Sequence, residues 1–217
     1  MPPDNFSTAA YWDDRYRHNE TVWDLGQISP PLLLYFQQLP DKNISILIPG
    51  CGNSYEAAWL LENGFNNITL IDIAPALMER LREKFHPWSA PPLTLVTGDF
   101  FLHKDQYDLI IEQTFFCALD PSLRENYMEK MHQLLRPGGK LAGLLFDRTF
   151  NGGPPFGGSR SAYQTLLEKK FRVRTLAPCY NSIRPRAGTE LFFIAEKERI
   201  TQPAPADSNN GSSPVPR

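Results

Sequence analysis

The run Ile-Leu-Ile-Pro-Gly-Cys-Gly-Asn-Ser-Tyr-Glu, residues 46–56, joins an apolar stretch of strand length to a glycine-bearing turn and then to a helix-forming stretch. Gly50 and Gly52 let the backbone bend sharply and let a ligand approach it closely, so the segment reads as a nucleotide-binding turn. A Gly-x-Gly pair alone is also an ordinary turn, and the third glycine of the dinucleotide fingerprint is absent, because Tyr55 stands there. The next apolar run ends in Asp72, about twenty residues on, where a carboxylate can accept hydrogen bonds from both hydroxyls of a ribose. The plainer alternative is a cap for the helix opening at Ala74-Pro75, for which Asp72 sits slightly early. A third run leads into Thr-Gly-Asp-Phe-Phe, residues 97–101, where Asp99 suits an adenine amino group and Phe100 an adenine face. Each is an ordinary strand end by itself. Together, successive strand ends present the groups a nucleoside needs.

These residues need a sheet to align them. Apolar runs at Ile44 to Ile48, Ile68 to Ile71, Leu93 to Val96, Leu109 to Ile111, Leu141 to Phe146, Phe171 to Leu176 and Leu191 to Ala195 predict seven strands. The first runs are near-continuous, as parallel strands covered on both faces require. Helical stretches at Tyr55 to Glu62, Ala76 to Lys84 and Ser122 to Leu135 separate them, which predicts an α/β, doubly wound sheet with helices on both faces. Asn63-Gly64 and Arg136-Pro137-Gly138-Gly139 read as helix stops that set where strands two and five begin. Ahead of the sheet, Ser7 to His18 and Pro30 to Leu39 read as helices joined by an aromatic segment, a candidate lid. The expected organisation is an N-terminal helical extension over 1–40, a core domain over 41–198, and a tail over 199–217 too rich in proline, serine and asparagine to order itself.

Bulk properties set the class. A chain of 217 residues suits one principal core. A formal charge of −2 gives no long-range pull on nucleic acid, and Arg172, Arg174, Arg184 and Arg186 are the nearest thing to a basic patch. No run of about 18 apolar residues occurs and the N-terminus lacks a signal-like apolar stretch, so a cytoplasmic protein without a membrane partner is expected. Cys51, Cys117 and Cys179 are expected to be reduced structural thiols, and His18, His86, His103 and His132 lack metal-ligand spacing.

The set IPGCGNS, LIDIAP, TGDFF, DLIIEQTFF and LLRPGGKL resembles, in order and spacing, the motifs of class I S-adenosylmethionine-dependent methyltransferases, and spans the core from Ile44 to Glu196. WDLGQISP, FFCALDP, GGPPF and NSIRPRAG are more specific and resemble the thiopurine S-methyltransferase family, in particular its thiol and halide methyltransferase branch. The resemblance implies a mostly parallel, seven-stranded Rossmann-like fold, S-adenosylmethionine as donor and S-adenosylhomocysteine as product. It implies a donor pocket of Trp12, Tyr16, Trp23, Gly50, Asp72, Asp99, Phe100 and Gln113. Tyr16 stands where that branch tends to carry Trp, and Gln113 where it tends to carry Tyr. Packing of an extension is the alternative role for Trp12 and Trp23.

The expected reaction is methyl transfer to a small soft nucleophile: a thiol, hydrosulfide, halide or thiopurine sulfur. Glu112, Gln113 and Thr114, at the fourth strand end, are expected to face donor and acceptor. No catalytic base is assigned, since an anionic acceptor needs none. Arg186 is a candidate for steering such an anion, beside the plainer reading of a surface arginine. A nicotinamide-dependent oxidoreductase and a non-catalytic nucleotide-binding domain are the alternatives.

Overall fold

The computed structural model describes residues 6, 8–88 and 92–199. Strands β1 (Ile46–Pro49), β2 (Ile68–Asp72), β3 (Leu93–Thr97), β4 (Tyr107–Gln113), β5 (Leu135–Phe146), β6 (Arg172–Pro178) and β7 (Glu190–Glu196) form one sheet in the order β3-β2-β1-β4-β5-β7-β6. β1 to β5 run parallel, and β7 is antiparallel to both β5 and β6. Every residue of β1 and β2 is buried, as their unbroken apolar composition requires.

Alternation along β1 divides the core. Ile46 and Ile48 face one layer with α2 (Pro30–Gln37), α3 (Tyr55–Glu62) and α4 (Pro75–Lys84). Leu47 faces the other, with α5 (Arg124–Leu134) and α6 (Arg160–Glu168). The first helix, α1 (Ala9–Arg17), begins at Thr8, whose side chain accepts the Tyr11 N–H at 3.4 Å.

Several boundaries differ from the sequence reading. β1 starts at Ile46 rather than Ile44. The stretch expected as a helix from Ser122 splits into a 3-10 turn over Pro121–Leu123 and α5. Arg136 to Gly139 is not a turn that precedes strand five. Leu135 already pairs with Tyr107, and the register jumps so that Lys140 pairs with Leu109, leaving the proline-glycine run as an outward bulge within the strand. The predicted tail lies outside the described residues from position 200 onward.

The first 40 residues do not form one layer. α2 is a core element: Leu32 and Phe36 are fully buried, and Phe36 stacks on Trp59 with centroids 6.0 Å apart. Phe36→Ala is therefore expected to destabilise the protein by about 3–5 kcal/mol. Val22→Ala, in the loop before α2 and 95% exposed, should stay within about 0.5 kcal/mol. Chemical denaturation distinguishes the two; equal small effects would mean that α2 is not part of the cooperative core.

Candidate active site

Strand order reverses between β1 and β4, and ligands of doubly wound sheets sit in the crevice at such a point. A cleft of roughly 870 Å³ opens there, above the carboxyl ends of the strands. Every residue of the donor pocket expected from the resemblance lines it, Trp12, Tyr16, Trp23, Gly50, Asp72, Asp99, Phe100 and Gln113, as does Arg186.

The turn after β1 is left-handed at Gly50 (φ 55°) and Gly52 (φ 51°). Gly50 is further constrained because a Cβ there would overlap the ring of Phe115. Asp72 closes β2 at 8% exposure. Its Oδ1 accepts the Ala74 N–H at 3.0 Å and its Oδ2 the Gly52 N–H at 3.4 Å, so it braces the glycine turn from the neighbouring strand. Burial pushes its carboxyl up to about 6, against the pull of the Ala74, Gly52 and Ile73 N–H groups. Asp72 does not cap α4. Asp13 of α1 accepts the Ala76 N–H at 2.5 Å instead.

Asp99 is exposed, with Oδ1 accepting the Phe101 N–H at 2.8 Å. Phe100 is only 5% exposed and packs edge-on against Phe115 at 5.2 Å; its neighbour Phe101, unremarked in the sequence, also lines the cleft and is less buried. Gln113 ends β4, its Oε1 buried without a partner.

The N-terminal aromatics form a cluster. Trp12 meets Trp23 edge-on at 5.4 Å, and Tyr16 meets Trp23 at 5.8 Å. Trp12 also donates from Nε1 to the Phe6 carbonyl at 2.8 Å. Polar anchors hold this segment in place. Arg80 of α4 donates to the Tyr16 carbonyl, Asn53 and Tyr55 of the glycine turn's far end donate to Asp24, and Ser29 N donates to the buried Glu56 at 3.0 Å. Asp24 escaped the sequence reading, although Asp24-Leu25-Gly26 carries the signature of an Asx turn, with Gly26 N donating to Oδ1 at 2.8 Å.

Two readings are corrected. Arg186 is not on the surface: its side chain is 11% exposed and donates to the Trp23 carbonyl at 2.8 Å and to the buried Glu190 at 3.3 Å, over the Phe146 ring. It thereby ties the N-terminal segment to the loop before β7. Arg174, of the same four arginines, pairs with Glu196 at 2.8 Å. Glu112 does not face the cleft. Successive strand residues point to opposite sides, so Gln113 lines the cleft while Glu112, 1% exposed, points into the layer beneath it.

The donor set fits an adenosyl sulfonium ligand: a braced glycine turn, a buried carboxylate at the second strand end, aromatic rings at the third, and an aromatic cluster overhead. Comparison with known proteins agrees. A family model described as thiopurine S-methyltransferase matches residues 7–198. Probable thiol methyltransferase 2 of Arabidopsis thaliana is 30% identical over 189 residues, covering 85% of this chain and 83% of that protein. The thiopurine S-methyltransferase of Nitrosospira multiformis is 29% identical over 188 residues, covering 77% and 84%. Thiocyanate methyltransferase 1 of Brassica oleracea is 27% identical over 186 residues, covering 82% and 81%. The solved structure of Burkholderia thailandensis 1,6-didemethyltoxoflavin-N1-methyltransferase, with bound 1,6-didemethyltoxoflavin and S-adenosylhomocysteine, shares the fold. Its TM-score is 0.68 at 18% identity, over 88% of this chain and 87% of that one. The nicotinamide-dependent and non-catalytic alternatives fall away: the chain belongs to the thiopurine S-methyltransferase family and is an S-adenosylmethionine-dependent methyltransferase.

Proposed function

We propose that the chain methylates a small soft nucleophile, a thiol, hydrosulfide, halide or thiopurine sulfur, by in-line displacement in this cleft. The observation that carries the reading is the make-up of the wall: an edge-packed cluster of Trp12, Tyr16 and Trp23, and no histidine among the described lining residues. When bound, S-adenosylmethionine supplies a methyl group on a cationic sulfur that is already a good leaving group. Aromatic faces favour such a cation by roughly 0.5–2 kcal/mol without presenting a carboxylate that competes for the methyl group.

The chain's own work is then alignment and exclusion of water. Asp72 accepts the ribose hydroxyls, Gly50 and Gly52 admit the ligand to the backbone, and Asp99 with Phe100 and Phe101 takes the adenine. Gln113 stands with the donor groups at the fourth strand end, and Arg186 stands on the acceptor side, drawing an anion while it holds Trp23. The segment from α1 to Gln27 serves as the cover. No side chain is asked to supply or accept the reacting electron pair: burial raises Cys117 to about 12 and Cys51 well above its ordinary value, so both thiols stay protonated. An acceptor that arrives as an anion matches this, and the thiol, thiocyanate and thiopurine acceptors named for the relatives support the choice.

Calorimetry with S-adenosylhomocysteine should show binding, and Asp72→Ala should weaken it by roughly 1–3 kcal/mol; an unchanged affinity in the folded variant removes Asp72 from the site. Because the carboxylate form accepts the ribose hydroxyls, affinity should be full above the Asp72 value of about 6 and decline as pH falls through it. The limiting slope should be about tenfold per pH unit, and Asp72→Asn should lack this dependence. A panel of labelled methyl transfers to hydrosulfide, iodide, an organic thiol and a thiopurine should show turnover with at least one. Turnover with none, despite donor binding, would refute the acceptor class.

A further inference from the structure

We infer that Glu112 is the positioning residue for the donor side of the cleft, an inference that rests on reading that side as the donor site. Glu112 reaches neither the cleft nor solvent, yet its carboxylate holds the turn that follows β4. Oε1 accepts the Phe115 N–H at 2.8 Å and the Phe116 N–H at 2.9 Å, and Oε2 accepts the Tyr127 hydroxyl of α5. Burial raises its carboxyl to about 7, and all three of these bonds pull the other way, favouring the charged form.

The turn needs such a hold. Thr114 stands between Glu112 and its partners at φ 60°, a left-handed conformation that a β-branched residue adopts only when its surroundings enforce it. What the turn delivers is the Phe115 ring, which fills the space where a side chain at Gly50 would be and meets Phe100 edge-on at 5.2 Å. Tyr127 completes the arrangement, lying 6.0 Å from Phe100, 6.1 Å from Phe115 and 5.0 Å from Phe116. One carboxylate therefore sets the position of the ring that backs both the glycine turn and Phe100. Glu112 acts through Phe115 and makes no contact with a reacting atom.

The test compares wild type, Glu112→Leu, Glu112→Gln and Tyr127→Phe by calorimetry with S-adenosylhomocysteine and by steady-state kinetics with one thiol acceptor. Glu112→Leu leaves two N–H groups and a hydroxyl without their acceptor. It should raise the Kd about tenfold or more while the acceptor KM stays within about twofold. Glu112→Gln keeps a carbonyl for the two N–H groups and offers an N–H to the Tyr127 oxygen, so it should return the Kd to within about threefold of wild type. A purely structural role would lower the active fraction, hence the apparent kcat, and leave Kd unchanged in both. Combining Glu112→Leu with Phe115→Leu should add little to either alone, because both remove the same support. A folded Glu112→Leu with wild-type Kd, or a Glu112→Gln as weak as Glu112→Leu, overturns the inference. If Glu112→Leu does not fold, Tyr127→Phe decides: it removes one of the three bonds and should raise Kd about threefold, and an unchanged Kd overturns the inference. Wild type that fails to bind S-adenosylhomocysteine would instead overturn the donor-site reading, and this inference with it.

Discussion

The reversal of strand order between β1 and β4 is the constraint on which the site depends. β2 lies on one side of β1 and β4 on the other, so the connections leaving their carboxyl ends diverge to opposite layers and leave a crevice no backbone fills. Each remaining feature answers that gap. The glycine turn bends into it, Asp72 braces the turn from the next strand, and Phe115 supports the turn from below. The N-terminal segment lines it with Trp12, Tyr16 and Trp23.

That lining is made of aromatic rings but secured by polar bonds at their edges. Trp23 is held through its carbonyl by Arg186, Tyr16 through its carbonyl by Arg80, and Asp24 by Asn53 and Tyr55. The arrangement separates two tasks. Backbone carbonyls and carboxylates fix where the rings stand, which leaves the ring faces and edges to shape an apolar cleft suited to a cation. In such a site the residues that place the rings are distinct from the rings that line the cleft.

Much of this was legible in the sequence because periodicity reports burial. The continuous runs of β1 and β2 and the glycine turn declared the parallel sheet, and the strand-end residues Asp72, Asp99 and Phe100 fell where a doubly wound sheet exposes them. What stayed hidden depended on contacts far apart in the chain. Arg186 looked like a surface arginine because its partners, Trp23 and Glu190, are set by tertiary packing. Glu112 sat beside Gln113 in a motif expected to face the cleft, and only the alternation of the strand turned one inward and the other out. The Arg136–Gly139 run carried every mark of a helix stop, yet pairing with β4 began before it. α2 read as part of a lid because sequence adjacency to α1 says nothing about which layer a helix joins.

Asp13 gives the first helix a second duty. α4 opens at Pro75 behind Ala74, a residue with no side-chain acceptor, and the missing acceptor for the Ala76 N–H comes from Asp13 across the cleft's edge. Arg17, on the next turn of α1, pairs with that same carboxylate. The start of a helix in the core and the placement of the first helix are thus tied through one side chain. A change at Asp13 therefore reaches the sheet layer beneath it, through a helix terminus that would otherwise be left open.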